Sequence, residues 1–229
     1  MINLKPEIIF NIASVNLTNT YLSSVLAVIL ILIFILFFKN KIKEIPNKIQ
    51  ILVEMIFEGF YNFWISLTGI KNLKIFSFCF TFFVYILLSN WFGILPGFGS
   101  IYIKHYEEKV HLLRSAYSDL NMTLALSLIS VLGVNLLGLI KLKTGFIKKY
   151  LSPIGLLEMF SEISKILSFS LRLFGNILAG EVLIISIGLL IPFLIPVPFL
   201  LLEIFVGFVQ ALIFFTLTSI FLRVAISHH

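Results

Sequence analysis

The strongest constraint on this chain is a series of uninterrupted apolar runs, each about long enough to cross a lipid bilayer as a helix. The sequence is 59% hydrophobic and 12% charged, about half the charged fraction of a typical soluble domain. The charged residues lie mainly between the runs, which do not alternate apolar and polar residues as barrel strands do. We therefore predict an all-α, polytopic helical membrane protein with about five membrane helices.

Three of these runs are predicted to be single spans, at residues 21–38, 76–98 and 120–140. Lysines follow the first and third runs, and cytoplasmic loops are enriched in lysine and arginine. Both clusters are therefore predicted to lie inside, with the N-terminus and the loop 99–118 outside and the C-terminus in the cytoplasm. The lysines of the two clusters are Lys39, Lys41, Lys43, Lys141, Lys143, Lys148 and Lys149.

A fourth segment, residues 47–68, is amphipathic. Its polar residues recur every three or four positions, which places them on one narrow helical stripe. Two glutamates in lipid would be costly, so we predict a helix on the inner membrane surface rather than a span. The stripe consists of Asn47, Gln50, Glu54, Glu58 and Asn62.

The remaining residues, 153–225, are predicted to form a long helical hairpin within a single membrane domain that covers residues 1–229. Its arms are Pro153–Leu190 and Pro198–Ala225, separated by three prolines in seven residues, which interrupt a helix. Each arm exceeds the about 20 residues that cross a bilayer upright. The arms must therefore tilt or extend beyond the lipid.

Both arms carry ionisable residues at membrane depth. Arg172 keeps its proton, whereas Glu181 and Glu203 can bind one, so a proton-handling site and a structural ion pair are both open. Gln210 lies two helical turns after Glu203, with Gly207 between them. At about 100° per residue, Glu181 points away from a polar stripe that consists of Glu158, Ser161, Lys165, Ser168, Arg172 and Asn176.

The segment from Ser168 to Glu181 contains Arg-Leu-Phe-Gly-Asn followed by Ala-Gly-Glu. It closely resembles the segment of subunit a of F-type ATP synthase that carries its essential arginine. Residues 90–97, 118–124 and 210–218 resemble other segments of that family, in the same order. The chain departs from many bacterial relatives at Ile166, where they have proline, and at Glu203, where histidine is frequent.

The resemblance implies a stator that forms two offset half-channels against a rotating c-ring, with Arg172 between them. The implied outer half-channel contains Asp119, Asn176, Glu181, Glu203 and Gln210. The implied inner half-channel contains Glu158, Ser161, Ser164 and Ser168. The chain itself is expected to have no catalytic site, and we find no Gly-rich phosphate loop in it.

The implied partners are the c-ring subunits, subunit b of the peripheral stalk, the other ATP synthase subunits and membrane lipid. No cofactor, metal or nucleic acid is expected, and the expected location is a bacterial inner membrane. Whether protons or sodium ions are coupled depends on the ring carboxylate of another chain. Two alternatives from other classes are an independent proton-coupled secondary transporter and a structural membrane anchor.

Overall fold

A computed structural model describes residues 7–12, 15–94, 102–105, 108–111, 113–142, 155–190 and 196–227. Within these ranges the chain forms six α-helices, one short 3-10 helix and four short strands. The helices are α1 (Asn19–Lys39), α2 (Lys48–Thr68), α3 (Leu73–Ile94), α4 (Leu120–Leu142), α5 (Gly155–Leu190) and α6 (Pro196–Ser227). The 3-10 helix is Ala116–Ser118, and the strands are β1 (Ile8–Ile12), β2 (Val15–Thr18), β3 (Tyr102–His105) and β4 (Glu108–His111).

Five of these six helices are long and apolar enough to cross a membrane, and α2 is the exception. Many large apolar side chains on them are exposed, including Phe34 and Leu36 of α1. Exposed apolar surface on helices whose backbone bonds are satisfied internally is typical of lipid-facing segments. The predicted class, a polytopic helical membrane protein with about five membrane helices, is confirmed.

The helix bounds differ from the predicted ones mainly at two positions. Helix α3 begins at Leu73 and ends at Ile94, and the predicted residues 95–98 lie outside the described ranges. Helix α6 begins at Pro196, two residues before the predicted start. The prediction was wrong there because proline is tolerated in the first helical turn, where no intrahelical N–H bond is lost.

Two antiparallel β-hairpins were not predicted. Strand β1 pairs with β2 directly before α1, and β3 pairs with β4 within the predicted outer loop. Each strand has only four or five residues, too few to show a clear alternating pattern in the sequence. The predicted segments 143–154, with Lys143, Lys148 and Lys149, and 191–195 lie outside the described residues.

Helices α5 and α6 form the long antiparallel hairpin. The Phe169 and Phe214 rings stack with their centroids 4.5 Å apart, and further along the pair Glu203 lies beside Gly180. The two helices have 36 and 32 residues, or about 54 and 48 Å at 1.5 Å per residue. Both exceed the about 30 Å of hydrocarbon, so neither arm can be upright and wholly within the lipid.

An aromatic core joins α2, α3 and α6. The Phe60 ring lies 4.5 Å from that of Phe83 on α3 and 5.9 Å from that of Phe215 on α6, measured between centroids. Trp64 of α2 is fully buried beside Phe76. These contacts fix α2 against the ends of α3 and α6 that the lysine distribution predicts to be inner. We call this the inner end of the bundle, and the end with residues 113–119 the outer end.

Toward the outer end, α3 and α6 are joined by two hydrogen bonds. The Asn90 side-chain amide donates to the Gly207 carbonyl at 3.1 Å, and the Trp91 indole N–H donates to the Ile204 carbonyl at 3.2 Å. Both carbonyls lie within a helix. Gly207 permits this close approach, since a Cβ built on it would lie 3.1 Å from the Cβ of Asn90. The small residue at 207 thus lets α3 and α6 pack closely at this point.

The Asn90 contact gives a stability prediction. Replacing Asn90 with Ala removes a buried hydrogen bond between α3 and α6. We expect the free energy of unfolding to fall by about 1 kcal/mol, the range measured for such bonds in membranes. Thermal unfolding of the purified, detergent-solubilised assembly measures the change. Asn40→Ala, at the exposed end of α1, is the matched control, and an equal shift in both variants would contradict the prediction.

Candidate outer and inner ion sites

Residues 113–119, which we call the outer segment, lie ahead of α4 and are held by α1. The Ser23 hydroxyl accepts a hydrogen bond from the backbone N–H of Arg114 at 3.3 Å, and the Thr20 hydroxyl donates to an Asp119 carboxylate oxygen at 3.4 Å. The other Asp119 oxygen accepts from the Asn121 N–H at 2.9 Å. A carboxylate there satisfies a backbone donor that a helix leaves open at its start. Asp119 therefore caps α4 at the outer end and is buried.

Glu181 of α5 forms an ion pair with Arg114 of this outer segment. The Arg114 Nη2 lies 2.9 Å from the Glu181 Oε2, and the Arg114 Nε donates to the same oxygen at 3.4 Å. The two side chains are 15% and 21% exposed, so water screens the pair less than it would a surface pair. Glu181 thus has its counter-ion outside the α5–α6 hairpin.

Glu203 of α6 approaches α5 at Gly180, the residue before Glu181. A Cβ built on Gly180 would lie 2.5 Å from the Glu203 Oε1, so a glycine is needed for the carboxyl to occupy this position. The second oxygen, Oε2, is buried and has no hydrogen-bond partner in the described part of the chain. The two glutamates are therefore close along the hairpin but have different surroundings.

Arg172 lies on α5 about 14 Å toward the inner end from Glu181, at 1.5 Å per residue. Its side chain is half-buried. It makes no ion pair or hydrogen bond with any residue that the structure describes, including Glu181 and Glu203. The structural ion pair that the sequence left open is thus not formed. A guanidinium without a counter-ion needs water or another chain to stabilise it at membrane depth.

Two amides accompany Arg172. Asn176, one helical turn further along α5, is half-buried, and Gln210 of α6 is buried. The Phe169–Phe214 and Gly180–Glu203 contacts of the antiparallel hairpin place Gln210 about level with Arg172. Neither amide forms a side-chain hydrogen bond within the ranges that the structure describes. Both amides can therefore bond to water, an ion or a partner.

The predicted inner residues follow the face of α5 that the chain leaves uncovered. Ser161, Ser164 and Ser168 are exposed and Glu158 is half-buried. The Ser164 hydroxyl donates to the Phe160 carbonyl of its own helix at 2.9 Å. This serine already satisfies its donor locally, as serines in helices frequently do. These predicted inner residues therefore face out of the bundle and not into its core.

A second polar group near the inner end connects α5 to α4. Glu162 accepts a hydrogen bond from the Asn135 amide at 3.1 Å and pairs with the Lys165 ammonium at 2.8 Å. The ammonium also lies 4.8 Å from the centre of the Phe221 ring. Lys165 therefore faces α4 and α6 rather than the uncovered stripe to which the helical angle assigned it. The side chain is long enough to bend around the helix toward its partner.

Arg114, the cation nearest to the outer carboxylates, was not predicted from the sequence. The hydrogen bond between the Thr123 and Ser170 hydroxyls, 2.9 Å apart, was not predicted either; it joins α4 to α5 near Arg172. One feature of the sequence could have indicated that the outer segment packs on α1. The first turns of α1 are polar, unlike the apolar run that follows, and these polar residues are buried in the fold. These residues are Asn19, Thr20, Ser23 and Ser24.

The chain matches the family described as ATP synthase A chain over residues 21–223. It is 33% identical to ATP synthase subunit a of Gloeobacter violaceus over 207 residues, which cover 83% of this chain and 76% of that protein. It is 32% identical to subunit a of Oleidesulfovibrio alaskensis over 197 residues, or 83% and 78% of the two chains. Chloroplastic subunit a of Stigeoclonium helveticum is 32% identical over 203 residues, or 87% and 80%.

The fold and the row of ionisable groups define a multi-pass helical membrane protein with charge at membrane depth. The family match, over residues 21–223, contains three of the five candidate spans completely and nearly all of the first and the last. The chain belongs to the ATP synthase subunit a family, a component of the membrane Fo sector.

The contact between Gly180 and Glu203 gives a second prediction. In Gly180→Ala the new methyl group meets the Glu203 carboxyl, a flexible group that can move, so the fold is retained while the carboxyl is displaced. The hypothesis that Glu203 lies on a proton path predicts that ATP-driven proton transport by the assembled complex in inverted vesicles falls at least about threefold, since displacing a group that takes part in the chemistry is costly. Gly188→Ala, which meets nothing within 4 Å on the same helix, is the control. Equal rates in the two variants would contradict this.

Proposed function

We propose that this chain is the proton-translocating stator subunit a of an F-type ATP synthase, with Arg172 as the charge that separates two half-channels. The observation that carries the proposal is the guanidinium of Arg172, which has no partner among the described residues. It lies between the outer carboxylates and the uncovered inner polar residues of α5. A permanent charge costs at least about 2.5–3.5 kcal/mol at membrane depth. A ring carboxylate of a partner subunit would supply its counter-ion.

The outer half-channel begins near Asp119 and leads along the α5–α6 hairpin toward Arg172. It is lined by groups that can bind a proton or a water molecule at the outer end and in the middle of the bundle. Its proposed residues are Asp119, Asn176, Glu181, Glu203 and Gln210. A proton that follows this path neutralises a ring carboxylate, which can then face lipid as the ring turns.

Arg172 acts on the ring carboxylate through its charge. A nearby positive charge favours the ionised form of a carboxylate, so a ring site that reaches Arg172 releases its proton. The same charge opposes direct passage of a proton between the half-channels. Each elementary charge that crosses 100 mV is worth about 2.3 kcal/mol, and a leak at this point would dissipate that energy without turning the ring.

The inner half-channel is proposed along the uncovered face of α5. The released proton would leave between this face and the ring, past Ser168, Ser164, Ser161 and Glu158. Gly175 lies beside Arg172, and a Cβ built on it would meet nothing within 4 Å. Small residues let a neighbouring helix approach closely, so this position suits contact with a ring helix.

The remaining assignments follow from this function. The whole chain forms one membrane domain that works with the c-ring, subunit b and the other synthase subunits, and nucleotide chemistry occurs elsewhere in the complex. The lysine distribution supports an outside N-terminus in a bacterial inner membrane. Arg172 pairs with neither Glu181 nor Glu203, which weighs against a purely structural anchor, in which such an ion pair would be expected.

The central test removes the charge of Arg172. In Arg172→Ala we expect assembly with the c-ring and subunit b to persist while ATP-driven proton pumping by inverted vesicles is abolished. The physical reason is that the ring carboxylate loses the charge that drives proton release. Pull-down checks assembly, and Lys74→Ala, at an exposed lysine near the start of α3, controls for loss of one charge. Pumping by Arg172→Ala at a near-normal rate would refute the proposal.

A second test addresses the ring-facing surface. Gly175→Leu adds a side chain to an open position of α5, and leucine is a good helix former, so the chain should still fold. We expect ATP-driven pumping to fall at least about tenfold, because overpacking a close helix contact is costly. Gly59→Leu on α2, where a Cβ also meets nothing within 4 Å, should pump normally. The idea that Gly175 faces the ring is lost if both variants pump alike.

A further inference from the structure

We infer that Arg114 is a positioning residue that holds Glu181 as a fixed, ionised carboxylate, leaving Glu203 as the carboxyl that passes protons in the outer half-channel. The inference rests on the proposed function and assigns different tasks to its two outer glutamates. The juxtaposition behind it is an arginine of the outer segment on one glutamate, and on the other a buried oxygen with no partner in the described part of the chain.

The Arg114–Glu181 contact is a directed one. Two of the guanidinium nitrogens, Nη2 and Nε, donate to the same Glu181 oxygen, at 2.9 and 3.4 Å. Hydrogen bonds in which both partners are charged are about twice as strong as neutral ones. The guanidinium therefore both orients this carboxylate and offsets its negative charge. Glu181 is therefore suited to fix the local field.

The fold holds Arg114 in place independently of Glu181. Its backbone N–H donates a hydrogen bond to the Ser23 hydroxyl of α1. Arg114 also lies two residues before the 3-10 helix Ala116–Ser118. That helix is itself closed by a bond from the Ser118 N–H to the Ser115 carbonyl at 3.2 Å. Elements far apart in the sequence thus bring the guanidinium to α5. This arrangement pre-organises the ion pair and limits the entropy lost in forming it.

Glu203 has no such counter-ion. It forms no ion pair with any residue in the described ranges, and its Oε2 is buried without a hydrogen-bond partner there. The other oxygen lies against Gly180, adjacent in sequence to Glu181. A carboxyl without a fixed cation can take a proton from outer water, forming an O–H bond, and then return to carboxylate when the proton passes to the ring. Glu181 does not change its charge in this cycle.

Removing Arg114 would make the carboxyls of Glu181 and Glu203 compete for a proton. Glu181 would lose its cation and lie one residue from the glycine that contacts Glu203. Two carboxylates at one site cannot both remain ionised without cost, so one of them retains a proton. A proton held at Glu181 is misplaced for transfer through Glu203. Removing the Glu181 carboxylate as well should relieve this competition.

The test uses the complete assembled complex in inverted vesicles, with ATP-driven proton pumping measured relative to ATP hydrolysis. We expect Glu203→Gln to pump at least about a hundredfold more slowly than the parent, the lower end of what loss of a proton-transferring group typically costs. Glu181→Gln should be slowed less. Arg114→Gln should also pump slowly. The double variant Arg114→Gln with Glu181→Gln should pump at least about threefold faster than Arg114→Gln alone, because the effects of interacting residues are not additive.

Two further variants separate charge from structure. Arg114→Lys keeps a cation near Glu181 and should pump faster than Arg114→Gln. Lys74→Gln removes a positive charge from the exposed start of α3 and should pump like the parent. If Arg114→Gln fails to assemble, the comparison of Glu181→Gln with Glu203→Gln still decides the assignment.

The inference is overturned if the double variant is no faster than Arg114→Gln, or if Glu181→Gln is as slow as Glu203→Gln. Arg172→Ala, assayed alongside, separates this failure from that of the proposed function. If Arg172→Ala pumps normally, the proposed function itself fails. If it does not pump and the double variant shows no recovery, only the assignment of Arg114 is lost.

Discussion

Arg172 carries a charge that it cannot lose at any cellular pH, and the surrounding lipid offers nothing to solvate it. The described chain supplies no counter-ion, so the position of the guanidinium depends on the packing of α5. Phe169, Leu173 and Ile177 are buried at helical spacing and fix the face of α5 that meets α4 and α6. Arg172 consequently stays at the edge of the uncovered face.

Polar contacts hold the helices in this arrangement. In lipid there is little hydrophobic drive between helices, so close packing and hydrogen bonds between them carry more of the specificity. The Asn90 amide on the Gly207 carbonyl and the Thr123 hydroxyl on the Ser170 hydroxyl are buried examples. Both lie in the outer and middle parts of the bundle, where the ionisable residues must be placed accurately.

The two ends of the α5–α6 hairpin are built on different principles. At the outer end, carboxylates lie inside the bundle and are organised by a segment anchored on α1. Toward the inner end, Glu162 and Lys165 pair with each other beside Asn135, while the serine stripe stays on the uncovered face. This asymmetry is compatible with offset half-channels. The polar path at the outer end would be enclosed by this chain, whereas the path at the inner end would need the surface of a partner to close it.

The sequence by itself determined the class, the approximate spans and the polar row of α5, because apolar length and helical periodicity are local properties of the chain. It also singled out Arg172, since no other arginine lies so deep within an apolar run. The tertiary structure decided which charges meet. The pairing of Arg114 with Glu181, and the placement of Glu203 against Gly180, join segments distant in sequence, and no periodicity encodes such contacts. The short β-hairpins and the bending of Lys165 toward Glu162 were decided in the same way, by neighbours that the local pattern does not contain.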